Sequence, residues 1–428
     1  MTDFQNAADS YEKKYQDVID KMTMNVFEEA SEKVAEITHK TELTYSPYYS
    51  EQTGAKVYLK PENMQTTGSF KIRGCYYKIS RLTQEQRDKG LIAASAGNHA
   101  LGVAMAGSHF GCRVLIVMPV NTPLLKVNHT ESFGAEVILH GKNYDDCNAY
   151  AKELADKHGY TFIHSFDDPD VIIGHGTMAM EIIKELPTVE YVFVPIGGGG
   201  LAAGVARLLK LFNPNIKVIG VEPFMAACMK KSFNEGHAAT LKSANTIADG
   251  AAVKTPGDLT FEICREYLDD ILTIADEELI VTFLDLMENH KMVAENAGLL
   301  TIAALRHMNL KGKKVVSIIG GGNIDVITMS SIVQHGLVER GRIFTVSLLL
   351  PDTPGQLVAV ATTIADAQGN VVKLEHNQFV SVNRQAAVEL KVTIEANGLE
   401  HREEIIDKLA EGGFRPKLVA YNGQVGIG

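Results

Sequence analysis

The chain has no tryptophan and only 13 prolines in 428 residues, and its five cysteines (Cys75, Cys112, Cys147, Cys228 and Cys264) stand apart without a CxxC pair. Scattered thiols in odd number give neither a disulfide framework nor a zinc-site spacing, so a reducing compartment is expected. Long apolar runs are missing too: none approaches the roughly 20 residues that span a bilayer. The opening MTDFQNAADSYEKKYQDVID is too polar and acidic for a signal or transit peptide, and a cytoplasmic protein with no membrane partner is the expectation. Positive charge is also in short supply. With 41 basic against 52 acidic residues, a formal net charge of −11 and no basic cluster, nothing grips a phosphate backbone, which excludes nucleic acid as a partner. A hydrophobic share of 45% with 22% charged residues excludes a disordered chain.

What the chain has in plenty is glycine, 37 residues of it. Glycine serves where the backbone must take positive φ or come close to something, so its distribution matters more than its number. It is clustered at the ends of apolar runs. From Val57 to about Ile332, short β-branched runs alternate with longer amphipathic stretches, the pattern of an α/β region with a mostly parallel sheet. Strands are expected at 91–95, 113–119, 135–139, 191–196, 217–222, 270–275 and 314–320, and helices at 98–109, 143–158, 170–185, 199–212, 276–290 and 323–335. The first 25 or so residues read as a polar amphipathic helix on the surface. HGLVERG, at 336–342, reads as a linker, so the α/β region is expected to span 1–335, with a smaller lobe at about 65–165, and the linker proper 336–341. Beyond it, 342–428 reads as a βαββαβ unit: strand 342–352, helix 353–369, a hairpin from 370–380 and 386–396, helix 400–413 and strand 414–420.

Four stretches carry chemistry. In KPENMQTTGSFKIRGCYYKI (60–79), Lys71 lies between Phe70 and Ile72 at the head of an apolar helical stretch. Partial desolvation there lowers an amine's pKa and frees it as a nucleophile, although spacing alone also fits a solvated lysine that begins a helix. In PIGGGGLAAG (195–204) a strand runs into four glycines, Gly197 to Gly200, and then an apolar helix, an arrangement whose converging N–H groups suit a phosphate. It is neither a Walker A loop nor a dinucleotide fingerprint. ASAGNHALG (94–102) offers a second set of N–H groups after Ser95, at Gly97, Asn98 and His99, that suits a carboxylate, or else a plain helix cap. IIGGGNID (318–325) repeats the strand-to-glycine turn.

A nucleophilic lysine, a phosphate cradle and a carboxylate cradle on one α/β frame suit a pyridoxal phosphate enzyme acting on an amino acid. The series SFKIRG (69–74), SAGNHA (95–100), GGGGL (197–201), DGAAV (249–253) and GGN (321–323) resembles the fold type II pyridoxal phosphate family, the tryptophan synthase β-like two-lobed fold, and within it the threonine dehydratase branch. The tail, opening with LPDTPGQL (350–357), resembles an ACT regulatory domain. The resemblance implies a pyridoxal 5'-phosphate cofactor joined to Lys71, which also acts as the base at the α-carbon. It implies that Phe70 packs near the ring, Asn98 binds the ring hydroxyl, and the N–H groups of Gly197, Gly198, Gly199, Gly200 and Leu201 hold the phosphate. Ser95, Gly97, Asn98 and His99 would take the substrate carboxylate, with Glu295 in the pocket. The implied reaction converts L-threonine to 2-oxobutanoate and ammonia, and L-serine to pyruvate. A serine-preferring dehydratase or another β-elimination enzyme, or else a non-catalytic amino-acid sensor, are the competing readings. A homodimer or homotetramer is implied, with a branched-chain amino acid as effector near Asp352 and Gly355.

The sequence departs from the family pattern at four places. Gly320 stands where a serine or cysteine usually meets the pyridine nitrogen. Ala96 replaces the second serine of related racemases, which disfavours racemisation. Cys228 replaces an acid of their divalent-cation site, so no metal is expected. Asn296 stands where glycine or proline is common.

Overall fold

The computed structural model describes residues 15–377 and 388–420, and these fall into two compact units, one running to Ile324 and one from Asp325 onward. The strands of the first unit are β1 (Thr44–Tyr45), β2 (Lys56–Pro61), β3 (Leu91–Ala94), β4 (Val114–Met118), β5 (Glu136–Leu139), β6 (Thr161–Phe162), β7 (Tyr191–Pro195), β8 (Lys217–Pro223), β9 (Asp270–Ile274) and β10 (Lys314–Ile319). A parallel strand covered by helices on both faces has no solvent side to make polar. That is why VLIVM in β4 and LIAA in β3 are unbroken apolar runs, and both are wholly buried.

Two sheets result. The larger has the order β1-β2-β10-β7-β8-β9 and the smaller β5-β4-β3-β6. All pairings are parallel except β1 with β2. All seven expected strands form. β2 and β6 were not foreseen, because KVYLKP carries lysines at both ends and TF is too short to show a pattern. Helix Pro169–Glu185 starts on Asp168, whose side chain accepts from the N–H groups of Asp170 and Val171. It crosses helix Gly200–Phe212 at a glycine contact: a Cβ on Gly204 would lie 2.2 Å from the Ile172 carbonyl oxygen. This close approach seats the helix whose N-terminus carries the four-glycine turn.

The described part of the N-terminal stretch is helical over residues 15–20 and packs on the surface as expected: Gln16, Asp17 and Asp20 are exposed while Ile19 and Met22 are buried against the first unit's core; residues 1–14 lie outside the described ones. One expectation changes. The linker expected at 336–341 is largely helical, since helix Val326–Glu339 runs through it with Ile332 and Gly336 buried. The helix belongs to the second unit, so the division falls ahead of it, and only Arg340 and Gly341, the latter at φ +65°, make the turn.

The second unit continues with β11 (Ile343–Leu350), helix Gln356–Asp366, β12 (Asn370–Asn377), β13 (Val388–Glu395), helix Leu399–Glu411 and β14 (Lys417–Leu418). Its antiparallel sheet has the order β12-β13-β11-β14, the expected βαββαβ arrangement. Residues 378–387, which include the tip of the expected hairpin, and 421–428 lie outside the described residues. No helix among the described residues is long and apolar enough to cross a membrane.

Candidate active site

Ligands of open parallel sheets sit beyond the carboxyl ends of the strands. Here the ends of β3, β7 and β10 carry Ser95–Asn98, Gly197–Gly200 and Gly320–Asn323, and β10 also holds the lysine segment in place. Phe70 donates its N–H to the Gly320 carbonyl at 3.0 Å, Gly322 donates to the Gly68 carbonyl at 2.9 Å, and Ser69 bridges to Gly321. Gly68, at φ +70°, turns the chain so that Lys71 opens helix Lys71–Arg81.

The Lys71 amine donates to the Ser165 carbonyl at 2.8 Å and lies 5.1 Å from the Phe70 ring centre. Burial lowers its pKa to about 8, against the opposing pull of Cys75 and Glu295. Below the lysine, Cys75 is pushed up to about 12 by burial, and His99 is drawn down to about 3 by burial and then by Lys71. A neutral His99 that gives its Nε2 proton to the Ile163 carbonyl, 2.9 Å away, leaves Nδ1 to accept from the Cys75 thiol at 3.4 Å. The His99 ring therefore points into the core between Cys75 and Ile163, and only its backbone N–H stays at the helix N-terminus.

Gly199, at φ +98°, caps helix Gly200–Phe212. Among the described residues, no protein acceptor meets the N–H groups of Gly197 to Leu201. A Cβ would lie 2.3 Å from the Phe166 ring on Gly198, 2.7 Å from the Met229 methyl on Gly199 and 2.8 Å from the Phe166 carbonyl oxygen on Gly200, while Gly197 is less confined, with Ala251 Cα at 3.2 Å. At β3, the Gly97 N–H reaches the Ser95 hydroxyl at 3.1 Å, and the space beside Gly97 is open, with no atom within 4 Å of where a Cβ would stand. The Asn98 amide is held from both sides. Its Nδ2 donates to Glu295 Oε1 at 2.7 Å, and its Oδ1 accepts from Asn323 Nδ2 at 2.8 Å, while that same Nδ2 also donates to the Thr67 carbonyl at 2.8 Å. Burial, and then repulsion from Asp249, raises Glu295 to about 8, so its carboxyl is largely neutral at pH 7. A Cβ on Gly320 would meet the Phe70 ring at 3.4 Å, an ordinary contact, so the position has room for a side chain and offers no hydrogen-bonding group.

A pyridoxal phosphate fits this set. A lysine with a pKa near 8 faces unclaimed N–H groups at a helix N-terminus, with one peptide strap, Ser165–Phe166, touching both. Lys71, Phe70, Asn98, Glu295, Gly320 and the Gly197–Leu201 turn are brought together, and Ser95 and Gly97 border the open space at β3. Asp352 and Gly355 belong to the other unit, where both are exposed and Gly355, at φ +96°, caps helix Gln356–Asp366.

Three features escaped the sequence reading. The Ser165–Phe166 strap follows β6 and shows no motif. Asn323 was seen only as part of the GGN turn. A buried ion network lies under the lysine: Arg73 binds Glu62 at 2.7 and 2.8 Å and Glu181 at 2.7 Å, and Lys60 also reaches Glu181. Lys60, Glu62 and Arg73 stand in a stretch of the chain rich in polar residues, so nothing local marked them as a buried network.

Because Glu295 is raised from about 4.5 to about 8, the folded state binds more protons than the unfolded state between those values, and this group's contribution falls as pH rises through them. Glu295→Gln keeps an oxygen for Asn98 and removes the titration. Urea unfolding from pH 5 to pH 8 should show a stability advantage of the variant that grows with pH; a constant difference would refute the buried neutral acid.

Residues 34–321 match the family described as pyridoxal-phosphate dependent enzyme, and the chain belongs to it. Its fold is that of the fold type II enzymes, and pyridoxal phosphate is its cofactor, as the motifs implied. Among its relatives is L-threonine ammonia-lyase of Thermotoga maritima, 42% identical over 93% of this chain and 100% of that protein. The L-threonine ammonia-lyase of Geobacter sulfurreducens is 39% identical over 91% of this chain and 97% of that protein. Among solved structures, processed threonine deaminase isoform 2 from Solanum lycopersicum aligns with a TM-score of 0.70 at 38% identity, over 71% of this chain and 85% of that one. Maize serine racemase also aligns with a TM-score of 0.70, at 31% identity, over 74% of this chain and 98% of that one.

Proposed function

We propose that this enzyme dehydrates and deaminates L-threonine to 2-oxobutanoate and ammonia, with L-serine to pyruvate as a lesser activity. The observation that carries the reading is a lysine amine with a pKa near 8 beside a glycine turn whose N–H groups are unclaimed, in a chain similar along its length to threonine ammonia-lyases. Bound pyridoxal phosphate supplies the electron sink for the negative charge left at the α-carbon when its proton departs. The N–H groups of Gly197 to Leu201 bind the phosphate, helped by the helix dipole. Asn98, fixed by Asn323 and Glu295, presents its remaining amide proton to the ring hydroxyl, and Phe70 lines the ring's side of the pocket. Ser95 and the N–H groups of Gly97, Asn98 and His99 take the substrate carboxylate. Lys71 removes the α-proton: with a pKa near 8 the amine is close to the optimum for a base at neutral pH. Gly320 would give the ring nitrogen of a bound cofactor no side-chain partner, and Ala96 would supply no acid for reprotonation, which favours elimination over racemisation.

Threonine and serine differ by one methyl, worth about 1–3 kcal/mol in a pocket, so kcat/KM should favour threonine by roughly 10- to 200-fold. A 2-oxo acid assay with both substrates tests this, and faster turnover of serine would replace the assignment with a serine dehydratase. We also propose that the βαββαβ unit binds a branched-chain amino acid near Asp352 and Gly355 and pairs subunits; the exposed helix cap at Gly355 supports this reading. The same assay with isoleucine or valine added should shift the threonine saturation curve. An unmoved curve together with an unmoved oligomer size would exclude effector control.

A further inference from the structure

We infer that Thr260, which touches neither substrate nor cofactor, is the positioning residue that turns the phosphate-binding peptides toward their anion. The N–H and C=O of a peptide point in opposite directions. For the N–H groups of Gly198, Gly199 and Gly200 to face one anion, the carbonyls of Gly197, Gly198 and Gly199 must turn into the protein behind the loop, where each needs a donor.

All three find one. The Gly199 carbonyl accepts the Ala203 N–H of its own helix at 2.8 Å, with Cys264 Sγ at 3.9 Å. The Gly197 carbonyl has the Cys228 thiol at 3.6 Å. The middle carbonyl, that of Gly198, takes the Thr260 hydroxyl at 2.7 Å and a longer bond from the Gly257 N–H at 3.2 Å. The Gly257 carbonyl lies 3.0 Å from the same hydroxyl, and the single proton goes to the nearer oxygen, on Gly198. Thiols are weak donors, so Thr260 supplies the only strong side-chain bond behind the loop among the described residues. Burial raises both thiols, so they stay protonated and can donate.

Thr260 is itself held in place. It is fully buried near the start of helix Asp258–Tyr267, and its N–H donates to Asp167 Oδ1 at 3.2 Å. Asp167 follows directly on Ser165 and Phe166, the strap that receives the Lys71 amine and packs against Gly198 and Gly200. The phosphate loop is thus gripped between Phe166 in front and Thr260 behind, and one short segment ties both to the lysine. The inference rests on the cofactor and not on the substrate proposed above.

The test uses the full chain, stripped of cofactor and titrated with pyridoxal phosphate or with pyridoxal, which lacks the phosphate, in the absence of any amino acid. Thr260→Val should raise the Kd for pyridoxal phosphate about tenfold, the loss of one net hydrogen bond. It should also move the phosphorus NMR resonance of the bound phosphate and leave the Kd for pyridoxal within about twofold of wild type. Thr260→Ser, which restores the hydroxyl, should return both readouts. Thr260→Ala removes the same donor without adding a methyl and is held to the same result if the valine variant does not fold. An unchanged Kd for pyridoxal phosphate, or an equal loss for pyridoxal, overturns the inference. Failure to turn over threonine would leave every one of these readings as it is.

Discussion

Lys71→Ala should fold, with a melting temperature without cofactor at or above that of the wild type without cofactor, and lose turnover by at least about 10³-fold, since it removes nucleophile and base together. The fold should survive because the amine is a burden to it: burial lowers its pKa to about 8, so the folded state carries a poorly solvated charge at neutral pH, which alanine relieves. The clearest readout is visible absorbance. Amino-acid side chains absorb only in the ultraviolet, so a visible band in the wild type reports bound cofactor directly. In the variant the cofactor is held only by the glycine turn and ring contacts and should leave on dialysis. A variant that keeps its band through dialysis, or more than a tenth of its turnover, would refute the role given to Lys71.

Arg73→Met should have the largest effect on stability. Arg73 and Glu62 are both buried, at 1% and 0% side-chain exposure, and the guanidinium grips Glu62 through two bonds while reaching Glu181 on helix Pro169–Glu185. Removing one partner of a buried pair leaves the other charge stranded, at a cost of about 3–5 kcal/mol. The sign of the pH dependence should change as well. Burial alone would raise Glu62, and the Arg73 charge outweighs it and holds the carboxyl below its usual range. In the wild type this group's contribution is present above the unfolded carboxylate pKa and is lost only as the solution becomes more acidic than that. Without Arg73, burial prevails, Glu62 is raised, and the variant should gain stability as pH falls from 7.5 to 5.5. Urea unfolding at both values decides it. A loss below about 1 kcal/mol, or parallel curves for the two proteins, would show that Glu62 finds other support. Arg73 lies two residues past Lys71 on the same helix, and Lys60 lies next to the end of β2, so this network is the floor on which the lysine segment rests.

The parts legible in the sequence are those with local causes. A strand buried on both faces must be a continuous apolar run, and a chain that meets an anion at a strand end must be glycine-rich, so β3, β4, β7, β8 and β10 and the turns after three of them could be read directly. Lys71 could be read as a candidate because its apolar neighbours are adjacent in the chain. The linker was misplaced for a local reason too, since Gly336 within helix Val326–Glu339 and the Glu339–Arg340 pair at its end look like a break until Ile332 and Gly336 are seen buried.

What the sequence by itself determined was the α/β class, the order of the motifs and the family with its cofactor. The tertiary structure alone decided how those motifs engage one another. Asn98 meets Glu295 across 197 residues and Asn323 across 225, Arg73 meets Glu181 across 108, and Thr260 reaches Gly198 across 62. It also turned the His99 ring away from the substrate side and toward Cys75 and Ile163. Nothing near these residues in the chain specifies such contacts, because they exist only after parallel strands from distant segments align and bring their carboxyl ends to one place.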